Sequence, residues 1–403
     1  MTYRRSRWLA LVVIFVVICW GTPFVLSAPR LSVTAGKTAL RNLPVRLTLP
    51  ESLRSGPLRL RDAKSGKHVP SQRDGDRLVW ILAALEPGRT REFVLEKEEP
   101  PKSAREDTVQ LQRIGADLNI LVGGKPLMRY VTKGAGRPYC WPVHGPSGQP
   151  VTRGYPMKKG VPGEKEDHLH HRSFWFGYDK VNGHDFWRYG KATMVHKEFL
   201  STVSGPVFGE FTARVDWLSE AGKKVCEDVR RLRVWNVSGA RLMDCDVEMR
   251  ASEGAVQLGD SEEGMFAFRV AGSMKVESGG TLLNANGDRN NDTWGKRAPW
   301  CDYSGPVGGE VVGIAVFDDP GNLRHPTYWH VRPYGLFCAN RFGVNDFTDE
   351  GDGSYHIDEG KSLIQRFRVY IHDGNAEEAH VADHYAAFAE PPKVVLRRDS
   401  SNG

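Results

Sequence analysis

The strongest constraint on the fold is alternation. Leu232 and Val234 alternate with Arg231, Arg233 and Trp235, and Cys245, Val247 and Met249 alternate with Asp244, Asp246, Glu248 and Arg250. Leu363, Gln365, Phe367, Val369 and Ile371 repeat at the same two-residue period. Successive side chains of an extended chain face opposite sides, so each run predicts a strand with one buried face. Asn236 to Ala240 joins the first two runs as a hairpin, which sets Cys245 beside Leu232 and far from Cys226. Glycines and prolines, 43 and 24 in the whole chain, cut the stretch between Val109 and Ile371 into many such runs. One helix stands out, Ala376 to Glu390, with Val381, Tyr385 and Phe388 on one stripe and Pro391 ending it. Many strands and few helices over about 260 residues imply an all-β protein, too long for one immunoglobulin-like unit. A large sandwich of two extended sheets is the expected architecture.

Residues 1–28 read as an export signal. Arg4, Arg5 and Arg7 precede the uncharged apolar run Trp8 to Gly21, and Val25-Leu26-Ser27-Ala28 supplies small residues for cleavage. The apolar run is about 14 residues, short of the ~20 that span a bilayer, so no stable membrane span is expected after signal cleavage. Residues 29–95 read as a small β-sandwich domain, with Leu47-Thr48-Leu49, Leu58-Arg59-Leu60-Arg61 and Phe93-Val94-Leu95 as short strands. Residues 96–107 (EKEEPPKSARED) have the charge and proline of a linker. Residues 108–390 form the main domain, and 391–403 a flexible tail.

Losing the leader lowers the formal charge from +6 to +3, and no lysine and arginine stripe is interleaved with aromatics. A nucleic-acid partner is therefore not expected. Five cysteines remain after the leader: Cys140, Cys226, Cys245, Cys301 and Cys338. They are widely spaced and odd in number, so at least one thiol stays free within one chain, although an oxidising compartment permits one or two disulfides. There is no GxSxG elbow, no phosphate-binding glycine loop and no HExxH helix.

Two segments are dense in groups that do chemistry. The first, Arg153 to Trp187, carries His168, His170, His171 and Arg172, then Asp185-Phe186-Trp187. On an extended chain His168 and His170 would face one way, as two metal ligands or as sugar-site rings, and Asp185 with Trp187 would add an acid and an aromatic face. In the second, His325 to Gly343, an extended Tyr328 to Tyr334 places His330, Arg332 and Tyr334 on one face and Trp329, Val331 and Pro333 on the other. Between them lie Asp260-Ser261-Glu262-Glu263-Gly264 and Trp300-Cys301-Asp302-Tyr303, either of which could supply a carboxylate opposite a histidine.

These segments resemble a bacterial family labelled methane oxygenase PmoA. The resemblance runs from about Leu111 to His372. It rests on Trp141-Pro142-Val143, Thr152-Arg153, Asp167 to Ser173, Val181-Asn182-Gly183, Asp185-Phe186-Trp187, Glu263-Gly264, Trp300 with Asp302-Tyr303, and Trp329 to Arg332 with Tyr334-Gly335. It departs at Leu169, where the family pattern has proline. A membrane oxygenase subunit needs several long apolar helices, and this sequence has one short apolar run. The resemblance therefore implies a β-supersandwich like that of galactose mutarotase, in a bacterial polysaccharide-using system.

The expected function is an exported carbohydrate-active protein that cleaves or isomerises a glycoside by histidine and carboxylate acid-base chemistry. His170 or His171 and His330 would carry protons, with Glu263 or Asp302 as carboxylate partner. Arg153, His168, Arg172, Asn182, Asp185, Trp187, Arg332 and Tyr334 would hold the sugar. The rival readings are a carbohydrate-binding protein without catalysis and a metal-dependent enzyme with a divalent ion on His168 and His170.

Overall fold

The computed structural model describes residues 28–188 and 192–397. The expected export signal therefore lies, but for Ala28, outside the described residues. Strands dominate, as the alternation requires, and among the described residues they are assembled into two large antiparallel sheets and three smaller ones, of five, three and two strands.

The first large sheet, called the site sheet below, has eight strands. In spatial order they are Tyr328–Val331, Leu336–Asn340, Gly264–Arg269, Phe174–Tyr178, Tyr139–Val143, Lys125–Val131, Asp117–Val122 and Val109–Ile114. The second sheet also has eight: Thr193–Val203, Phe208–Leu218, Lys224–Trp235, Ala240–Arg250, Ser362–Asp373, Glu310–Asp318, Trp300–Val307 and Thr281–Asn284. Their apolar faces meet in one core, which makes the main domain a β-supersandwich. Phe266 stacks on Phe367 of the facing sheet at 4.4 Å between ring centres, and Phe176 meets Trp217 edge-on. Each fully buried aromatic of this kind contributes about 1.5–3 kcal/mol. A carboxyl buried in this core has its hydrogen-bonding needs met. Asp228, fully buried, accepts from the Trp217 indole at 2.7 Å and from both arms of Arg230 at 2.6 and 2.8 Å.

The predicted hairpin forms as read, with Leu232 opposite Cys245 and Cys226 opposite Trp217. The five cysteines are all buried and all free. The small domain is a sandwich of a five-stranded and a three-stranded sheet around its own leucine-rich core. Its five-stranded sheet takes in Val394–Arg397, which pairs antiparallel with Arg30–Thr34. That segment was expected in a flexible tail. The ladder hydrogen bonds and the half-buried Val394 and Leu396 packing on the small core hold it as an edge strand. The C-terminal helix spans Val381–Ala389, shorter than read, and two short helices, Glu51–Arg54 and Val344–Thr348, were not anticipated. Ala387 of the long helix enters the small core, while Val381 and Phe388 pack on Phe317 and its neighbours from the second sheet. The helix therefore fastens the two domains together. No described helix is long and apolar enough to cross a membrane.

Candidate active site on the outer face of the site sheet

Strand register builds the floor of the site. Tyr139 lies opposite Trp175, Trp175 opposite Ala267, Ala267 opposite Cys338, and Cys338 opposite His330. This row crosses five strands on the face turned away from the core, because its sequence neighbours Phe174, Phe176, Phe266 and Phe268 point inward. The loop from residue 153 to 171 is laid over that floor. Arg153 holds it there: its guanidinium meets Asp167 Oδ1 at 2.7 Å and the carbonyls of Asp167 and His168 at 3.1 and 3.0 Å. With 2% of its surface exposed, Arg153 is a strut inside the loop, not the sugar-holding group expected.

The histidine run is not extended. His168 has φ of 46°, and the His171 N–H donates to the His168 carbonyl at 2.9 Å, so residues 168–171 form a tight turn. His168 and His171 consequently stack plate to plate, 4.7 Å apart and 12° from parallel. His168 and His170 do not share one strand face as a ligand pair, and among the described residues no three His, Cys, Asp or Glu side chains are grouped to hold a metal ion. His171 accepts from Arg269 at Nδ1 (2.9 Å), and burial with that cation beside it holds its pKa well below the ordinary value. His170, half-buried against Trp187, is pushed down to about 3 by burial first and then by Arg137. Both rings are neutral at physiological pH. They can donate and accept hydrogen bonds but are poor proton reservoirs.

Trp187 is fully buried, 5.2 Å from Trp175, so it walls the site from behind and offers no open ring face for stacking. Tyr334, half-buried, already has its ring in contact with two neighbours. It stacks on His168 at 5.4 Å, and the Arg269 guanidinium lies 4.5 Å from its ring centre. Through this contact the two polar segments, far apart in sequence, meet.

The carboxylates come from strand ends. The Asp179 N–H donates to the Glu263 carbonyl at 3.2 Å, which sets the two acids side by side at the end of paired strands. Arg188 spans them, with Nη1 3.2 Å from Asp179 and Nη2 3.2 Å from Glu263. Asp185 accepts from the backbone N–H groups of Trp187 and Arg188 at 2.9 and 2.8 Å and so positions that arginine. Burial raises Glu263 to about 6, with Glu262 and Asp179 adding like charge and Arg188 opposing. Burial also raises Asp179. Glu263 nevertheless keeps 23% of its side chain exposed and can be reached from solvent.

Asp179 and Arg188 were missed in the sequence, and so was Arg137. A signal existed for Asp179: the alternation that puts Trp175 outward continues through Gly177 to residue 179. Gly177 is required there, since a Cβ would stand 2.9 Å from both Arg137 Nη1 and the Phe186 carbonyl. Arg188 directly follows the Asp185-Phe186-Trp187 run.

Other expected residues lie elsewhere. His330 shares the outer face as read, with Trp329 and Val331 in the core, but the strand stops at Val331 and residues 332–335 turn. His330 is 3% exposed; its Nδ1–H donates to the Glu262 carbonyl at 2.7 Å and its Nε2 accepts from Arg332 at 3.3 Å. Burial, with Arg332 beside it, lowers its pKa to about 3. It braces the turn that carries Glu263 and is three strand steps, roughly 14 Å of backbone, from Trp175. Arg332 pairs with Glu262 at 3.0 Å and lies over Trp294. Asp302 is not in the site at all. Its neighbours Cys301 and Tyr303 point into the core, so alternation turns it to the outer face of the second sheet, where it bonds His372 at 2.8 Å. The whole thickness of the sandwich separates it from the histidines. Asn182 is taken up by a turn, bonded to the carbonyl of Ala255 and the N–H of Gln257. Arg172 sits 5.6 Å from the ring of Tyr139.

An all-β supersandwich with an accessory sandwich and a carboxylate pair bridged by an arginine on one outer sheet face is therefore the class of protein. Its residues 117–386 match the model of the family of unknown function DUF6807, and the chain belongs to that family. Among solved structures it is similar to an alpha-mannosidase from Enterococcus faecalis V583, at 10% identity and a TM-score of 0.45, over 92% of this chain and 46% of that one. It is also similar to a protein in glycosyl hydrolase family 38 from Enterococcus faecalis, at 11% identity and a TM-score of 0.44, over 93% and 48%. The chain thus spans about half the length of either. No curated protein matches it.

Proposed function

We propose that the chain is an exported carbohydrate-active enzyme that cleaves or isomerises a glycoside, with Glu263 as its proton-exchanging group. The observation that carries this reading is the placement of Glu263 beside Asp179, bridged to it by Arg188 and still reached by solvent, where burial lifts its pKa to about 6. A general acid or base works best when its pKa lies near the working pH, and here burial and two neighbouring acids supply the shift. Protonated Glu263 would give its proton to a glycosidic or ring oxygen, and the carboxylate would take one back when the reaction completes. Arg188 and Asp179 position that carboxyl. His170 and Tyr334, both half-buried, would meet the sugar hydroxyls through the imidazole nitrogens and the phenol.

Turnover on a panel of reducing sugars and glycosides tests this. The wild-type rate should show a limb near pH 6, and Glu263→Gln should abolish that limb and lower turnover by about 10²–10⁴-fold. Unchanged turnover per folded molecule in the variant would sink the assignment. Sugar binding with no turnover in either protein would establish the non-catalytic reading instead.

A further inference from the structure

We infer that the groove between the small domain and the second sheet is a separate anion site, one that takes a glycan segment bearing carboxylate or sulfate groups. The groove encloses about 350 Å³, within the range of small-ligand pockets, and domain junctions are a common place for them.

Two parallel rows of charge line its floor. Across three neighbouring strands, Arg233 lies opposite Asp244, which lies opposite Arg368. Two residues along the same strands, Arg231 lies opposite Asp246, which lies opposite Arg366. Each row has two arginines for one aspartate. In the first row the surplus is met. Arg368 holds Asp244 with two bonds at 2.6 and 2.9 Å, and Arg233 takes Asp74 of the small domain with two more at 2.6 and 3.0 Å. In the second row Arg231 pairs with Asp246, but Arg366 has no carboxylate within 4 Å among the described residues. Arg77, exposed on the facing wall, reaches a carboxylate among the described residues only at 4.0 Å, that of its neighbour Asp76.

The second row therefore repeats the first without the carboxylate that Asp74 supplies there; the small domain also brings Arg46 to within 3.4 Å of Asp244, and Asp319 is the remaining acid of the lining. An anion entering the groove would stand for Asp74 in the second row, accepting from Arg366 with Arg231 and Arg77 near. A planar carboxylate or a sulfate suits guanidinium donors arranged in this way. Pro44, Phe388 and Pro391 give the same groove apolar surface, which fits the CH faces of sugar rings better than it fits a bare ion. The site is on the opposite side of the sandwich from Glu263, and nothing in it depends on the catalytic reading.

Titration calorimetry on the full chain tests the inference. The probes are oligogalacturonate for carboxylate, a sulfated dextran oligosaccharide for sulfate ester, a neutral dextrin, and inorganic sulfate. A charged oligosaccharide should bind with an affinity that falls as salt rises, and the neutral one should not bind there. Whichever charged probe binds more tightly identifies the anion. Arg366→Gln should weaken that binding at least tenfold with melting temperature unchanged, and Arg77→Gln, on an exposed side chain, should weaken it severalfold. Glu263→Gln should leave it unaltered. Binding that survives both arginine changes overturns the inference. So does a neutral dextrin that binds as well as the charged probes, or inorganic sulfate that binds as tightly as any glycan.

Discussion

At the scale of single residues, Glu263 stores a cost that its chemistry needs. A carboxyl whose pKa rises on folding binds its proton more tightly in the native state, so protonation favours the fold. The stability linked to Glu263 is thus present below the ordinary value of 4.5 and is lost as pH rises through about 6. At about 1.4 kcal/mol per unit, the charged group costs roughly 2 kcal/mol at neutral pH. Glu263→Gln, which cannot ionise, should therefore raise the melting temperature at pH 8 and leave it nearly unchanged at pH 4. Thermal unfolding across that range is the check, and an unaltered difference between the two pH values would mean that Arg188 fully compensates the charge. The three depressed histidines, His170, His171 and His330, act in the opposite direction. Each contributes stability above pH 6.5 that fades as acid protonates the unfolded chain.

Among the elements, the loop from 153 to 171 is the one whose shape depends most on a single side chain. It has no strand ladder of its own beyond isolated bridges, and Arg153 substitutes for one by bonding Asp167 and four loop carbonyls. A lysine has three donors on a point charge and cannot span those acceptors. Arg153→Lys should release residues 165–171, with amide exchange there rising by at least tenfold, while the strands beneath keep their protection. Each charge-assisted bond lost in a buried site costs about 1.5–3 kcal/mol, which is ample for local opening. Equal protection in the variant would show that Arg269, also on Asp167 at 3.3 Å, suffices alone.

Across the whole molecule, the small domain is fastened by the C-terminal helix and by ion pairs that cross the boundary. Arg233 is 4% exposed and is shared between Asp74 of the small domain and Glu210 of its own sheet. Gln72 adds a second tie, accepting from the N–H groups of Val207 and Phe208 at 3.0 and 3.1 Å. Removing Asp74 leaves half of a buried guanidinium unpaired. Asp74→Ala should cost about 1–3 kcal/mol and separate the unfolding of the two domains in denaturant. A single cooperative transition at the wild-type midpoint would show that the helix carries the docking by itself.

What the residues determined alone was local and periodic. Alternation located the strands, the hairpin at 236–240 and the shared face of Trp329 and Val331 opposite His330, because a two-residue period is a property of the extended backbone itself. Length and turn density then led to two large sheets. Chemical density marked both polar segments, and Tyr334 against His168 brings them together. The tertiary structure decided which of their groups can act. Asp302 and Glu263 look equivalent as acids placed just before a predicted strand, yet they end on opposite sides of the sandwich, because sheet membership depends on pairing partners far away in sequence. The His168 to His171 run reads as a strand until Arg153, buried beneath it, bends it into a turn. Whether a histidine or a carboxyl titrates near neutrality depends on the burial and charge around it. Those come from strands and loops that approach only in the folded chain, and they lower the histidines while raising Glu263.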